Sequence, residues 1–519
     1  MKYRQIFVSL YNILFLSLLG CLLIGGILLI LNWWHWRASI SFYLDECSVF
    51  LNSKLPIYKF FVKLPYAQVT PPFFSILTKL FTFNEELKES FLRLLPLSVT
   101  VISILLFPIL EFKILKNKFA ILVALTLLMF NPHIYEYSLF FKHYAFDVLI
   151  VIVILFIAIY IKDKRFKDKE KNDINSYKTP VILGILSCFC IWCSYTAAII
   201  ISGVFFAMLL YEKYKFQKIN FKPYIIYLIP IIIFALYLLI FIFIPIKAEG
   251  CMEDFWFLNK EFQPLERTLS VNIYDNKIWY ALSLFYIGGE VCYKLYNQLI
   301  LLSLLIMSMS LFYKQDRFIF YFFITVIPVI FLLSILHIYP YGAHRVAVYS
   351  IPLFCILLSK AFDITFFKNK ILSVIVFILL CFVIYNQNVY NNFIHFYKNL
   401  CIESLSNSAY FYKFLRYSDI KSDDYIYYTF PPELEAYIVG DEHNMNVSVK
   451  NIVPVSDDFN LIKPDKNIFF YLSKDYIPNN FDEIQDLIKN NCKIIYSVDD
   501  NTTLYPGTFI KCKKNTPVK

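Results

Sequence analysis

Apolar residues in this chain come in blocks of roughly 20, long enough to cross a membrane as helices, with short polar joints between them. The blocks predict about eleven spans, near residues 7–31, 91–111, 119–132, 139–161, 180–193, 195–211, 224–245, 297–313, 318–337, 346–362 and 371–387. The first block is too long for the apolar region of a signal peptide. "NWWHWR" follows it where a small-residue cleavage site would stand, which predicts a retained helix with interfacial tryptophans.

With Lys2 and Arg4 on the inner side, the inner joints read "KILKNK", "KDKRFKDKEKNDINSYK", "YEKYKFQKINFK", "YKQDR" and "FFKNK". Each is basic, as the positive-inside rule requires. Residues 180–211 decide the register of everything after them. One long helix there would put the two most basic joints on opposite faces, whereas a break at Ser194–Tyr195 keeps both inside, so two short spans are expected. The outward segments are then 32–90, 133–138, 246–296, 338–345 and everything after about 388.

Beyond residue 388 the apolar runs shorten to strand length, in "DDYIYYTF", "KNIFFYLS" and "CKIIYSV". "PPELEAYIV" and "NFDEIQDLIKNN" between them carry helical spacing. The expected architecture is therefore a polytopic α-helical membrane domain over 1–387, with a long first outer loop at 32–90. A small soluble α/β domain over 388–519 follows on the outer face.

Composition agrees: 59% of residues are hydrophobic and only 17% charged, against an ordinary soluble domain. The net charge of +10 resides mostly in the inner joints, so it reads as topology and not as a nucleic-acid surface. Cys188, Cys190 and Cys193 space like metal ligands, but they fall in the apolar run "ILSCFCIWCSY", where packed thiols are expected and zinc is not.

Chemistry-bearing residues gather on the outer side. "SFYLDECSVF" sets Asp45 beside Glu46 just past the first span; "YAQVTPPFFSILTKLF" adds Gln68 and a proline-enforced turn; "FLRLLPLSV" puts Arg93 at the membrane surface. "YSLFFKHYAFDVL" brings Lys142, His143, Tyr144 and Asp147 to the start of a span, and "IYPYGAHRVAVYSIPL" brings His344 and Arg345 to another. Taken singly, such cations snorkel to lipid headgroups, and Asp147 pairs with a neighbour. Taken together, they suit one chemistry. Cations at headgroup depth neutralise a departing lipid phosphate, and a carboxylate accepts the proton of an attacking hydroxyl. That is sugar transfer from a polyprenyl-phosphate donor, with a carboxylate general base and inversion, to a lipid, glycan or protein acceptor.

The stretches "YLDECSVF", "YAQVTPPFFSILTKLF", "LRLLPL", "FFKHYAFDVL" and "YPYGAHRVAVYSIPLF" also resemble the GT-C class of multispanning glycosyltransferases, over about residues 30–365. That class includes the protein O-mannosyltransferases and the lipid A aminoarabinose transferase, and the likeness is closest to a bacterial subgroup of membrane glycosyltransferases. The resemblance implies Asp45 as general base and Glu46 as an orienting or acceptor-binding carboxylate. It implies substrate contacts at Lys142, Tyr144 and Arg345. Many members carry Arg where Lys142 stands, and lysine lacks the planar two-pronged grip on phosphate. A divalent cation stays an open alternative, since phosphomonoester donors react without one where side-chain cations suffice. A transporter or flippase, or a polymerase, for lipid-linked saccharides is the competing reading. Transporters show internal repeats and mid-membrane charges, and neither pattern is evident in this chain.

Overall fold

The computed structural model describes residues 2–37, 42, 44–65, 68–82, 88–129, 131–170, 178–247, 295–335, 339, 348–363, 425–428, 449–451, 467–473, 486, 488–490, 492–500 and 507–514. Helix α1 (Lys2–Arg37) is continuous through the first expected span. The outer loop then folds as short pieces: α2 (Leu44–Ser53), a 3-10 turn at Ile57–Phe61, α3 (Pro72–Phe81) and α4 (Glu89–Leu92). Pro72 occupies the first turn of α3, where its missing N–H costs nothing and its fixed φ suits the helix. Lys79 Nζ of α3 donates to the carbonyls of Ser53 and Leu55 at 3.2 and 2.8 Å, so α3 caps the end of α2.

The bundle follows as α5 (Leu94–Ile114), α6 (Lys118–Met129), α7 (Pro132–Ser138), α8 (Tyr144–Glu170), α9 (Lys178–Cys193), α10 (Ala197–Phe216) and α11 (Phe221–Leu238). A π-helical stretch, Leu239–Phe243, leads from α11 into α12 (Ile244–Lys247). After residues 248–294, which lie outside the described set, come α13 (Leu295–Gln315), α14 (Arg317–Ile335) and α15 (Ile351–Lys360).

Among the described residues five stretches are long and apolar enough to cross a membrane: Phe15–Asn32, Glu89–Ile114, Tyr144–Asp163, Ala197–Phe216 and Phe221–Ile246. Shorter apolar helices at Lys118–Met129, Val181–Cys193 and Arg317–Ile330 occupy three more of the expected positions. The chain is a multi-pass, mostly helical membrane protein. The expected span at 346–362 contains the ten-residue α15, and the expected span at 371–387 lies outside the described residues.

Residues 180–211 are two helices, broken at Ser194–Thr196 as the charge argument required. Helix α5 packs on α8 and α6, α10 on α14, α9 on α11, and α15 on α6 and α13. Close approach explains two glycines. A Cβ at Gly184 would lie 2.5 Å from Pro230 Cγ, and one at Gly203 would lie 2.9 Å from Val326 Cβ. Small residues at such points let helix backbones pack without a hydrophobic drive from water.

The ends of the bundle are chemically sorted. At one end Asp363 accepts the backbone N–H groups of Lys116 and Asn117, and pairs with Lys360 at 2.6 Å. Lys360 also donates to Gln315 at 3.0 Å. Lys162 lies 3.5 Å from Asp316, and the Arg317 guanidinium sits 4.0 Å over the Tyr214 ring. These residues belong to, or border, the basic joints assigned to the inner side. Asp45, Gln68, Arg93, Lys142 and Ser194 occupy the opposite helix ends.

In the C-terminal region β1 (Tyr425–Tyr428), β2 (Val449–Asn451), β3 (Asn467–Ser473), β4 (Cys492–Asp500) and β5 (Gly507–Lys514) form one mixed sheet, in the order β2-β1-β3-β5-β4. Strand β1 runs parallel to β2 and β3, while β5 is antiparallel to β3 and β4. The three strands expected from "DDYIYYTF", "KNIFFYLS" and "CKIIYSV" are β1, β3 and β4.

Candidate active site

Asp45 and Glu46 stand in the first turn of α2, where a helix favours acidic side chains because its N-terminal N–H groups are unsatisfied. Adjacent residues on a helix point about 100° apart, from 3.6 residues per turn. The two carboxylates therefore meet different neighbours.

Glu46 points inward and is 2% exposed. Its Oε1 accepts from Arg93 Nε at 3.3 Å and its Oε2 from Arg93 Nη2 at 3.1 Å, a two-pronged pair. The backbone N–H of Phe141 donates to the same Oε1 at 2.8 Å. Arg93 is itself 2% exposed, with its guanidinium 5.0 Å from the Phe42 ring. Phe42 in turn stacks on Phe141, centroids 5.4 Å apart and planes 8° from parallel. Glu46 thus joins three separate segments: α2, the start of α5 and the turn that leads into α8. A phosphate approaching Arg93 would have to displace Glu46.

Asp45 is more open, with its side chain 18% exposed. Gln68 Nε2 donates to its Oδ1 at 3.4 Å, and Lys142 Nζ lies 3.4 Å from the same oxygen. Lys142 Nζ also donates to Gln68 Oε1, so the Gln68 amide bridges cation and carboxylate. Gln68 and Lys142 are each 6% exposed. Three distant stretches of sequence converge here on a carboxylate and an ammonium side by side. Such a pair accepts a proton from one reactant and neutralises an anion on another.

Next to it His143 is packed edge-on to Phe74 and lies 4.9 Å, centroid to centroid, from Tyr144. Burial, and then the positive charge of Lys142, push its pKa down to about 3 against a smaller opposing pull from Asp45, so the imidazole is neutral at ordinary pH. Tyr144, 4% exposed, packs edge-on to Tyr137 at 5.1 Å and forms an aromatic wall. His344 and Arg345 lie outside the described residues.

Several contributors carry no motif. Ser194 Oγ donates to Asp147 Oδ1 from the α9–α10 break, and Tyr195 OH donates to the Thr70 carbonyl at 3.3 Å. The break itself was legible in the charge pattern, but its partners 47 and 125 residues away were not. Among the described residues no three His, Cys, Asp or Glu side chains come together as a metal-ligand set.

No protein-family profile matches the chain, and no curated protein sequence does. Solved structures do. ArnT from Cupriavidus metallidurans in the apo state superposes with a TM-score of 0.53 at 11% identity, covering 97% of this chain and 98% of that one. The chain shares the fold of this ArnT. The same ArnT bound to undecaprenyl phosphate matches at a TM-score of 0.47 and 12% identity, over 95% of this chain and 97% of that one. The Archaeoglobus fulgidus oligosaccharyltransferase in its apo form matches at 0.49 and 12%, over 96% of this chain and 75% of that one. The likeness to the apo ArnT fold thus covers nearly the whole of both chains.

Proposed function

We propose that this protein is a membrane glycosyltransferase that moves a sugar from a polyprenyl-phosphate donor to an acceptor hydroxyl at the outer membrane face. The observation that carries the reading is the Asp45–Gln68–Lys142 cluster, a partly exposed carboxylate 3.4 Å from a buried ammonium at the end of an ArnT-like bundle.

In this reading Asp45 takes the proton of the acceptor O–H as its oxygen attacks the sugar C1. The bond from C1 to the phosphate oxygen breaks on the opposite side, and the anomeric centre inverts. The leaving lipid phosphate gains negative charge, and Lys142 compensates it where water is scarce. Gln68 holds base and cation in register. Glu46 is a positioning residue: its bond to Phe141 N–H fixes the residue before Lys142, while its own chain neighbour is Asp45. Arg93 serves Glu46 in place of the donor. Tyr144 lines the chamber, and His344 and Arg345, outside the described residues, are assigned to substrate binding by the sequence alone. The N-terminus is cytoplasmic, the membrane is the cell's plasma or inner membrane, and residues 388–519 form an extracytoplasmic domain around the mixed sheet.

Mass spectrometry of surface glycans and lipids from cells with and without the protein tests the reading. A hexose or pentose missing from one acceptor is the expected result. Accumulation of an intact lipid-linked saccharide, with no glycosidic bond dependent on this protein, would instead identify a transporter.

A further inference from the structure

Asp147 takes no part in the transfer just described, yet it is buried and held by hydroxyls from another part of the chain. It is 1% exposed, about one turn into α8. Ser194, 0% exposed, donates its hydroxyl to Asp147 Oδ1, and Thr196, 2% exposed, lies 2.8 Å from the Ser194 hydroxyl. Both hydroxyls come from the break between α9 and α10, so an interruption of two apolar helices is directed at this one carboxylate. A buried carboxylate supplied in this way is an arrangement with a purpose, because an unsupported one would be strongly disfavoured.

The other carboxylate oxygen, Oδ2, faces His143 Nε2 across 4.0 Å, one helical turn earlier. A neutral imidazole carries its proton on one nitrogen, and the nitrogen nearer a carboxylate is the favoured one. That leaves Nδ1 as a lone-pair acceptor. Nδ1 is buried and has no hydrogen-bond partner among the described residues. The hydroxyl of Tyr349, 1% exposed and within electrostatic reach of Asp147, likewise has none. Buried polar atoms in native proteins are nearly always satisfied, so the unfilled Nδ1 asks for a polar partner.

We propose that Asp147, clamped by Ser194 and Thr196, is a positioning residue that holds the His143 ring with its proton on Nε2, so that Nδ1 accepts a hydroxyl of the donor sugar. This rests on the proposed transfer reaction, which places the donor phosphate at Lys142. The sugar bonded to that phosphate lies within one ring's width of it, and His143 is the next residue in the chain. The aromatic rings of Tyr144 and Phe74 beside His143 suit the apolar face of a sugar.

Two measurements test it on the full-length protein in nanodiscs. The first is nitrogen-15 NMR of ring-labelled histidine, with the His143 signals assigned by their loss in His143→Gln. The neutral Nε2–H tautomer is expected in the wild type at pH 7, with a mixture of tautomers in Asp147→Asn and restoration in Asp147→Glu. The second compares binding of undecaprenyl phosphate with binding of undecaprenyl-phosphoryl hexoses and pentoses. Asp147→Asn and Ser194→Ala should each weaken the best sugar lipid by roughly three- to tenfold, the loss of one hydrogen bond, and leave the bare lipid phosphate within about twofold. An Nδ1–H tautomer or an imidazolium in the wild type would overturn the proposal. So would an unchanged preference for the sugar lipid in both variants, or a wild type that binds sugar lipids no more tightly than the bare phosphate. Failure of the bare lipid phosphate to bind the wild type would count against the transfer reading itself.

Discussion

Phe141 donates its backbone N–H to Glu46 Oε1 at 2.8 Å, across 95 residues of sequence. With Arg93 on the same carboxylate, that bond fixes where Asp45 and Lys142 stand relative to one another. Glu46 and Arg93 are each 2% exposed, so removing either leaves an uncompensated buried charge. Glu46→Ala should cost about 3–5 kcal/mol of stability, while the double change Glu46→Gln/Arg93→Met, which removes both charges, should recover much of it. Denaturant unfolding in detergent measures this. Wild-type stability in Glu46→Ala would show that the pair is not what holds α2 in place.

Why the sequence showed the pair but not its division of labour is a matter of helix geometry. "DEC" reads as two equivalent carboxylates. On a helix the same two residues diverge by about 100°, one toward Arg93 and Phe141, the other toward Gln68 and Lys142. Which direction each takes depends on how α2 docks, and that is set by contacts such as Lys79 with Ser53 and Leu55. The apolar blocks and the break near Ser194 were legible because each follows from local hydropathy or from charge sorting. The clamp of Ser194 on Asp147 was not, since serine in an apolar run carries no signal of its partner. Arg93 was expected at substrate; in the structure its guanidinium is buried between Glu46 and the Phe42 ring, contacts that no local pattern announces.

In the proposed reaction Lys142 receives the leaving phosphate. Lys142→Ala removes a charge-assisted bond worth about 1.5–3 kcal/mol, so kcat/KM for a polyprenyl-phosphate sugar should fall roughly 10- to 100-fold. Lys142→Arg should retain much of the activity, because it keeps the charge and adds a second prong. Steady-state kinetics in nanodiscs reads both. Undiminished turnover in Lys142→Ala would make it a headgroup-snorkelling lysine.

The sorting of basic joints predicts sidedness. In a background stripped of outward thiols, Ser90→Cys should react with a membrane-impermeant maleimide on intact cells, since Ser90 is exposed at the Asp45 end of the bundle. Lys218→Cys, exposed in the joint between α10 and α11, should react only after permeabilisation. The reverse pattern would place the Asp45 cluster on the cytoplasmic side.

Asp45 is the proposed base, and the change that isolates this role is Asp45→Asn, which keeps size and hydrogen bonding while abolishing proton acceptance. Loss of a positioned general base lowers rates by about 100- to 10,000-fold. The measurement is sugar transfer by the purified protein from a polyprenyl-phosphate sugar to candidate acceptors, following released lipid phosphate and glycosylated product together. Lipid binding and thermal unfolding are recorded on the same samples. Asp45→Asn should bind the donor and unfold like the wild type, yet form product at no more than about one hundredth of its rate. Wild-type transfer by well-folded Asp45→Asn protein would show that Asp45 is not the base.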